Sequence, residues 1–344
     1  MSAIAELLRA PGPYAARTAE DDARFAAAMA EADAHHRARN PTYAALWGDD
    51  DARPCVPVGL FKRVDLATPV DDDGVWLGSS GTTSGQATRV FFDRTSMGRI
   101  QQGMLQIFLH HRVFDLRPSL FLVLAPDPTT GDHPGYATTF TKFTACAPVR
   151  ERVYAVDPQG RLDVERARDA LTRWGELDAP IFLFGLTVYF EQLCLALDRP
   201  LPQRHPVRGV TGGGWKGLAR TLDRPAIVER LGALLPGGVD VRDLFGLTEH
   251  PLHYVSCPAA RFHLPSYARA SIIGVDGAPA PLGVEGAIRL ESPLFASLPS
   301  HDLLTEDRGR LDAVCPCGAP TPALTYLDRL SAPTGTCAAT AVTA

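Results

Sequence analysis

Between residues 120 and 245, short unbroken apolar runs alternate with stretches of helical periodicity, and this alternation constrains the fold most. Leu120–Leu124 and Ile181–Phe184 carry no polar residue, and Val239–Phe245 is apolar with polar interruptions. Helical patterns lie between them, at about 163–174, 187–198 and 221–235. Strands buried on both faces read as continuous apolar runs, and parallel neighbours need crossover helices, so the pattern predicts an α/β fold with a parallel sheet. Upstream, Thr18 with Asp21 imitates a capping box and opens a helix to about Arg39, with Phe25, Met29 and Ala32 on one face. A second amphipathic stretch starts at Thr95 and places Ile100, Met104, Ile107 and His111 at helical spacing. After about residue 265, Ser271–Val275 and Gly286–Glu291 read as strands between Gly/Pro turns, which predicts a smaller antiparallel or barrel-like part.

The bulk numbers exclude several function classes. With 344 residues, 45% apolar and 21% charged, the composition is that of a globular protein with an ample core. A net charge of −5, from 34 basic and 39 acidic residues, offers no field for nucleic acid. No apolar run approaches a membrane span and the N-terminus lacks a basic-then-apolar signal, so no membrane partner and a cytoplasmic location are expected. Seven scattered cysteines argue against a secreted disulfide framework. Lysine is scarce, with only Lys62, Lys142 and Lys216.

The polar motifs come in a definite order. Ser79, Ser80, Gly81, Thr82, Thr83, Ser84 and Gly85 place hydroxyls and small residues where backbone N–H groups can approach a polyphosphate. The run is neither a Walker loop nor a nucleophile elbow, and by itself could equally be a flexible linker. Three polar loops are expected after strands: Thr211–Lys216, Phe245–His250 and Thr305–Gly309. Ligands in open α/β sheets bind at the carboxyl ends of strands, where such loops can meet. An aromatic, a hydroxyl and a carboxylate close in sequence (Phe245, Thr248, Glu249) can cover a purine, touch a phosphate and hold Mg²⁺. A turn-borne Asp307 can accept hydrogen bonds from both ribose hydroxyls.

Ser79–Gly85, Gly212–Lys216, Phe245–Glu249, Thr305–Gly309 and Leu327-Asp328-Arg329, in that order, resemble the adenylate-forming (acyl-activating, AMP-binding) superfamily. Within it, the chain looks most like the LuxE-like acyl-protein synthetases related to phenylacetate–CoA ligases, over roughly residues 55–330. The resemblance implies a large adenylate-forming domain over 1–326, with parallel sheets flanked by helices, and a vestigial lid or tail over 327–344. It also implies an ATP-dependent ligase that converts a carboxylic acid to an acyl-adenylate. Ser79–Gly85 would hold the β- and γ-phosphates of ATP; Gly212, Gly213, Gly214, Phe245 and Gly246 would border the adenine. Thr248 would contact the α-phosphate, Glu249 would hold Mg²⁺, Asp307 the ribose, and Arg329 the hinge edge of the nucleotide. Two departures stand out. The phosphate loop, one residue longer than usual, offers Arg89 where a lysine is common. Only fifteen residues follow Arg329, so the superfamily's lid lysine is not expected. Lys216, beside the adenine loop, is a possible substitute; the alternative is a solvated surface lysine.

Cys257, His263, Cys315 and Cys317 form the Cys₃His complement of a structural zinc site, and related ligases carry a comparable Cys-Pro-Cys-Gly element. Buried free thiols are the other reading. Cys337, near the end in a Gly/Thr-rich context, is the only candidate for the C-terminal thioester cysteine of acyl-protein synthetases; a stray tail cysteine is equally compatible. The acyl acceptor is thus left open among Cys337, CoA, a carrier protein and an amine, as is a reductase or transferase partner. The acid is fatty or aromatic, since the run Ile181–Phe190 suits either. Two other functions fit the same motifs: an aryl-acid CoA or amide ligase of secondary metabolism, and a non-catalytic nucleotide-binding scaffold. His250 and His253 flank the Thr-Glu motif and could line an acyl pocket.

Overall fold

The most apolar runs of the chain become the central strands of a parallel sheet. The computed structural model describes residues 2–47, 55–78, 89–130, 135–213 and 221–330. In chain order, α1 (Ala3–Arg9), α2 (Ala19–Arg39) and α3 (Pro41–Trp47) precede β1 (Val56–Pro57) and a 3-10 turn at Val58–Lys62. Next come β2 (Gly74–Gly78), β3 (Arg89–Asp93), α4 (Arg94–His110), β4 (Ser119–Leu124), α5 (Gly135–Thr144) and β5 (Val149–Tyr154). The α/β alternation continues with α6 (Val164–Gly175), β6 (Ile181–Leu186), α7 (Thr187–Ala196), β7 (Val207–Gly212), α8 (Arg224–Leu234) and β8 (Val239–Leu247). It gives way to β9 (His250–Val255), β10 (Phe262–His263), β11 (Arg269–Ile273), β12 (Glu285–Glu291), β13 (Asp302–Asp312) and β14 (Ala323–Arg329). Two units divide the chain: one within Met1–Ser79, Gln86–Gly103 and Gly246–Ala344, the other, among the described residues, within Met104–Phe245. The expected boundary between 326 and 327 falls inside β14.

In the second unit the strands run parallel in the order β5-β4-β6-β7-β8. Every residue of β4 and of β6 is buried, which is why both read as unbroken apolar runs. Each such Leu or Phe contributes about 1.5–3 kcal/mol by leaving water. Helix α6 turns Ala167, Ala170, Leu171 and Trp174 inward at three- and four-residue spacing. Trp174 is fully buried, and its indole N–H donates to Glu151 of β5 at 2.8 Å.

In the first unit, Thr18 caps α2: its hydroxyl accepts from Asp21 N at 3.2 Å while Asp21 accepts from Thr18 N at 3.0 Å. The helix buries Phe25, Ala28, Met29, Ala32 and His36. The expected barrel-like part is, among the described residues, an open antiparallel sheet in the order β10-β14-β13-β12-β11, with β1 parallel to β13. Its end strands β10 and β11 are not neighbours in that order. Two expectations about loops are also corrected. Thr305–Gly309 is not a loop but lies within β13, and Phe245–Leu247 is the end of β8. Thr305–Gly309 is rich in polar residues, yet ladder hydrogen bonds satisfy its backbone and cross-strand pairs such as Arg308–Asp328, at 2.6 Å, satisfy its side chains. No helix among the described residues is long and apolar enough to cross a membrane.

Candidate active site

Asp307 and Arg329 are direct cross-strand partners on β13 and β14, so residues 22 apart in sequence share one face of the sheet. The Thr305 hydroxyl holds the local backbone, accepting from Asp307 N at 3.1 Å and donating to the Ile288 carbonyl at 2.9 Å. Asp307 is 7% exposed. Burial raises its carboxyl to about 6; Arg329 works against this, while the charges of Glu306 and Glu249 add to it. Glu249 is therefore near enough to act on Asp307 electrostatically, although they stand 58 residues apart in sequence. Asp307 and Glu249 are thus buried carboxylates, while the Arg329 side chain is 44% exposed and reaches solvent.

Thr248 and Glu249 form the turn from β8 into β9, and Glu249 is 6% exposed. Gly246 lets this hairpin close: a Cβ there would stand 2.6 Å from the His253 ring and 3.0 Å from the Leu252 carbonyl. His250, fully buried, bonds through Nε2 to the Tyr254 hydroxyl at 2.7 Å and meets Phe295 edge-on. Burial takes His250 down to about 3 and His253 to about 4, so both are neutral imidazoles. Both pack against the hairpin, His250 beside Tyr254 and His253 beside Gly246.

Glu306, beside Asp307, accepts from Arg329 at 3.5 Å and pairs with Lys62 at 3.9 Å. Glu306 lies inside the Thr305–Gly309 motif without a role of its own there, and Lys62 lies outside every motif, although the rarity of lysine is a usable signal. Lys62 also lines a cavity of about 350 Å³ together with Phe61, Trp76, Arg89, Phe91 and Leu298. There the guanidinium of Arg89 lies 4.9 Å from the centroid of the half-exposed Trp76 ring.

In the other unit, β7 ends at Gly212, and Gly213 turns the chain with φ +69, a conformation suited to glycine. Phe245 is buried near the end of β8, whose Leu244 pairs with Gly212 in register. The remaining candidates Ser79, Ser80, Gly81, Thr82, Thr83, Ser84, Gly85, Gly214, Lys216 and Cys337 lie outside the described residues.

Far from one another in sequence, Cys257, His263, Cys315 and Cys317 bring their ligand atoms within 4.8 Å of one another. The sulfurs of Cys257 and Cys315 are 3.6 Å apart, and His263 Nε2 is 3.2 Å from the Cys317 sulfur. Tetrahedral zinc with bonds of about 2.0–2.3 Å holds its donors roughly 3.5–3.8 Å apart, so the cluster fits such an ion. His263 Nδ1 faces the Thr321 carbonyl at 3.1 Å, which leaves Nε2 as the ligating nitrogen. Burial pushes Cys315 up to about 11. At Cys317 burial also opposes ionisation, yet the Ala319 N–H and the neighbouring thiols bring it below the ordinary thiol value. The cluster could hold a metal ion, and His263 ties it to β14 by pairing with Ala323.

No protein-family model and no curated protein matches this sequence. Solved structures do resemble it. 2-Hydroxyisobutyryl-CoA ligase in the postadenylation state, in complex with 2-HIB-AMP, superposes with a TM-score of 0.70 at 14% identity, over 93% of this chain and 71% of that one. Its open conformation in complex with 2-HIB-AMP and CoA gives 0.68 at 15%, over 90% and 70%. A long-chain-fatty-acid-CoA ligase from Archaeoglobus fulgidus gives 0.54 at 14%, over 74% and 51%. The luciferase-like enzyme of the nonluminescent mealworm Zophobas morio gives 0.51 at 17%, over 78% and 60%. The chain therefore shares the fold of these acyl-CoA ligases.

Proposed function

We propose that this chain is an adenylate-forming ligase of the LuxE-like acyl-protein synthetase type. A carboxylate oxygen of the substrate attacks the α-phosphorus of ATP, the bond to the β-phosphate oxygen breaks, and acyl-AMP and pyrophosphate result. A thiolate or amine then attacks the acyl carbon and AMP departs. The observation that carries this function is the register of β13 and β14, which sets buried Asp307 directly opposite the solvent-reaching Arg329, with Glu249 near enough to act on the Asp307 carboxyl. The fold shared with acyl-CoA ligases supports it.

Each motif has a part. Ser79–Gly85 and Arg89 face the β- and γ-phosphates, and Gly212–Gly214 with Phe245 and Gly246 border the adenine. Asp307 accepts from the ribose hydroxyls, Arg329 holds the nucleotide edge, Thr248 donates to the α-phosphate, and Lys216 adds a positive charge beside the nucleotide. Glu249 fits Mg²⁺, because that ion keeps several waters and phosphate oxygens and needs only one or two protein carboxylates. Glu249 would hold the ion there, where it would offset charge on the phosphates. The protein itself orients and screens, which is where catalysis of phosphoryl chemistry lies.

Zinc in the Cys257–His263–Cys315–Cys317 cluster is structural, since all four donors come from the protein and no position remains for substrate. The acid is fatty or aromatic, and Cys337 is the first acyl acceptor, with CoA, a carrier thiol or an amine as the destination. The test is carboxylate-dependent ATP–pyrophosphate exchange across a panel of fatty and aromatic acids. Exchange with at least one acid is expected; silence across the panel together with ATP binding would indicate a nucleotide-binding scaffold instead.

A further inference from the structure

The cavity beside Lys62 lies wholly within the first unit, and two short elements build most of it. In the 3-10 turn, Val58 and Phe61 point inward three residues apart, and Lys62 and Arg63 follow at the cavity. The turn is seated on β13, since a Cβ on Gly59 would stand 3.3 Å from Glu306 Oε1. The second element is the β2–β3 hairpin. Trp76 pairs directly with Phe91, their rings 5.4 Å apart, and Arg89 shares that face because side chains alternate along a strand. Val90 and Phe92, on the opposite face, are buried.

Packing does not account for what the cavity presents. Trp76 is 52% exposed, although an indole gains more than most side chains by leaving water. The Lys62 side chain is 19% exposed, and its ammonium stands 3.9 Å from Glu306, which lies nearer Arg329 at 3.5 Å. So loose a pair returns little of the hydration that the ammonium has lost. Arg63 and Arg89 line the same cavity. Among the described lining residues the one carboxylate is Asp65, which already accepts from Ala67 N at 3.0 Å.

Three cations against one carboxylate call for an anion, and two planar guanidinium forks suit one with several oxygens. A phosphate monoester, close to a dianion at neutral pH, answers that charge better than a carboxylate. The volume of about 350 Å³ is that of a site for a small organic molecule, and Phe61, Phe91 and Leu298 supply apolar wall.

We propose that this cavity binds an organic phosphate monoester, its phosphate against Lys62, Arg63 and Arg89 and its apolar body against Trp76 and Phe91. The ligand is distinct from the ATP of the adenylation reaction, and the proposal goes beyond that reaction. Arg89 is the one member that the adenylation reading also claims.

The test is isothermal titration of the full chain with phenyl phosphate, inorganic phosphate and benzoate. Phenyl phosphate binds at least about tenfold more tightly than either, because each of the others lacks half of the match. Lys62→Met and Arg63→Gln each remove a charged partner and weaken phenyl phosphate about tenfold. Trp76→Ala abolishes the preference for phenyl phosphate over inorganic phosphate and leaves the affinity for the latter unchanged. Arg63 and Trp76 are exposed, so their variants decide even if Lys62→Met does not fold. Inorganic phosphate binding as tightly as phenyl phosphate, or phenyl phosphate undiminished in Arg63→Gln and Trp76→Ala, would overturn the proposal. So would competitive displacement by ATP, which would assign these cations to the phosphates of the nucleotide. A chain that binds phenyl phosphate but never exchanges pyrophosphate would count against adenylation alone; the reverse would count against this site alone.

Discussion

Asp307 and Arg329 face each other across the β13–β14 ladder, and the guanidinium is the principal influence drawing the Asp307 carboxyl back toward its ordinary value. Burial, aided by Glu306 and Glu249, prevails and leaves the carboxyl at about 6. A ribose-binding acceptor in this position is poised to lose its charge in mildly acid solution.

ATP affinity should therefore depend on pH. In its proposed ribose role Asp307 accepts from two hydroxyls above about 6; below it, the proton replaces one acceptor with a donor. KM for ATP in exchange should rise as pH falls through that value, and Arg329→Met should move the inflection upward. Stability has the opposite sense. The folded chain binds this proton more tightly than the unfolded chain, whose carboxyl titrates near 3.8, so this group's contribution falls as pH climbs from 3.8 to about 6. Asp307→Asn should flatten both profiles. Melting curves and exchange kinetics between pH 4.5 and 8, with no inflection in either, would remove Asp307 from the ribose role.

Glu249→Gln keeps the shape of the β8–β9 turn and removes the charge proposed for Mg²⁺. Loss of about 3 kcal/mol of charge stabilisation corresponds to roughly a hundredfold slower exchange. The melting temperature should hold or rise, since one of the charges disfavouring ionised Asp307 is gone. Undiminished exchange would exclude Glu249 as the metal ligand.

Zinc should be present at about one ion per chain by elemental analysis. Cys315→Ser should lose it and, at a cost of about 3 kcal/mol, lower the melting temperature by roughly 5–10 °C. Metal-free protein of undiminished stability would leave the four residues as a cluster of buried thiols.

Cys337→Ala should leave exchange intact and abolish acid-dependent mass addition to the protein, read by intact-mass and peptide spectrometry under non-reducing conditions. Acyl mass on another residue would reassign the acceptor.

Gly246→Ala sets a methyl against the His253 ring and should cost about 1–3 kcal/mol in urea unfolding. Removing the ring as well, in Gly246→Ala with His253→Ala, should recover part of the loss. Additive losses would mean that the contact is not what restricts the position.

Physical exposure explains how far each element could be read from sequence. The strands β4 and β6 are legible because neither face meets water, leaving no reason for a polar residue. Helix α2 is legible through its cap. Helix α5 is not: Gly135–Thr144 is rich in Thr and aromatic residues, so its local preference points toward strand and its surroundings decide otherwise. Strand β13 is hidden for a different reason. Asp302–Asp312 looks like solvated loop, but its charges are matched across the sheet, Arg289 to Asp302 and Arg308 to Asp328. At the candidate site, the sequence offers Glu249, Asp307 and Arg329 through their order along the chain, whereas Lys62 carries no motif, because its pairing with Glu306 joins residues that no local pattern connects.

Strand β14 begins opposite His263 and finishes at Arg329, six residues and about 20 Å later. A strand that slipped by one residue would turn every side chain to the other face, and Arg329 would look away from Asp307. Between the two ends the ladder shifts register at Leu327, and without that one extra residue Asp328, not Arg329, would stand opposite Asp307.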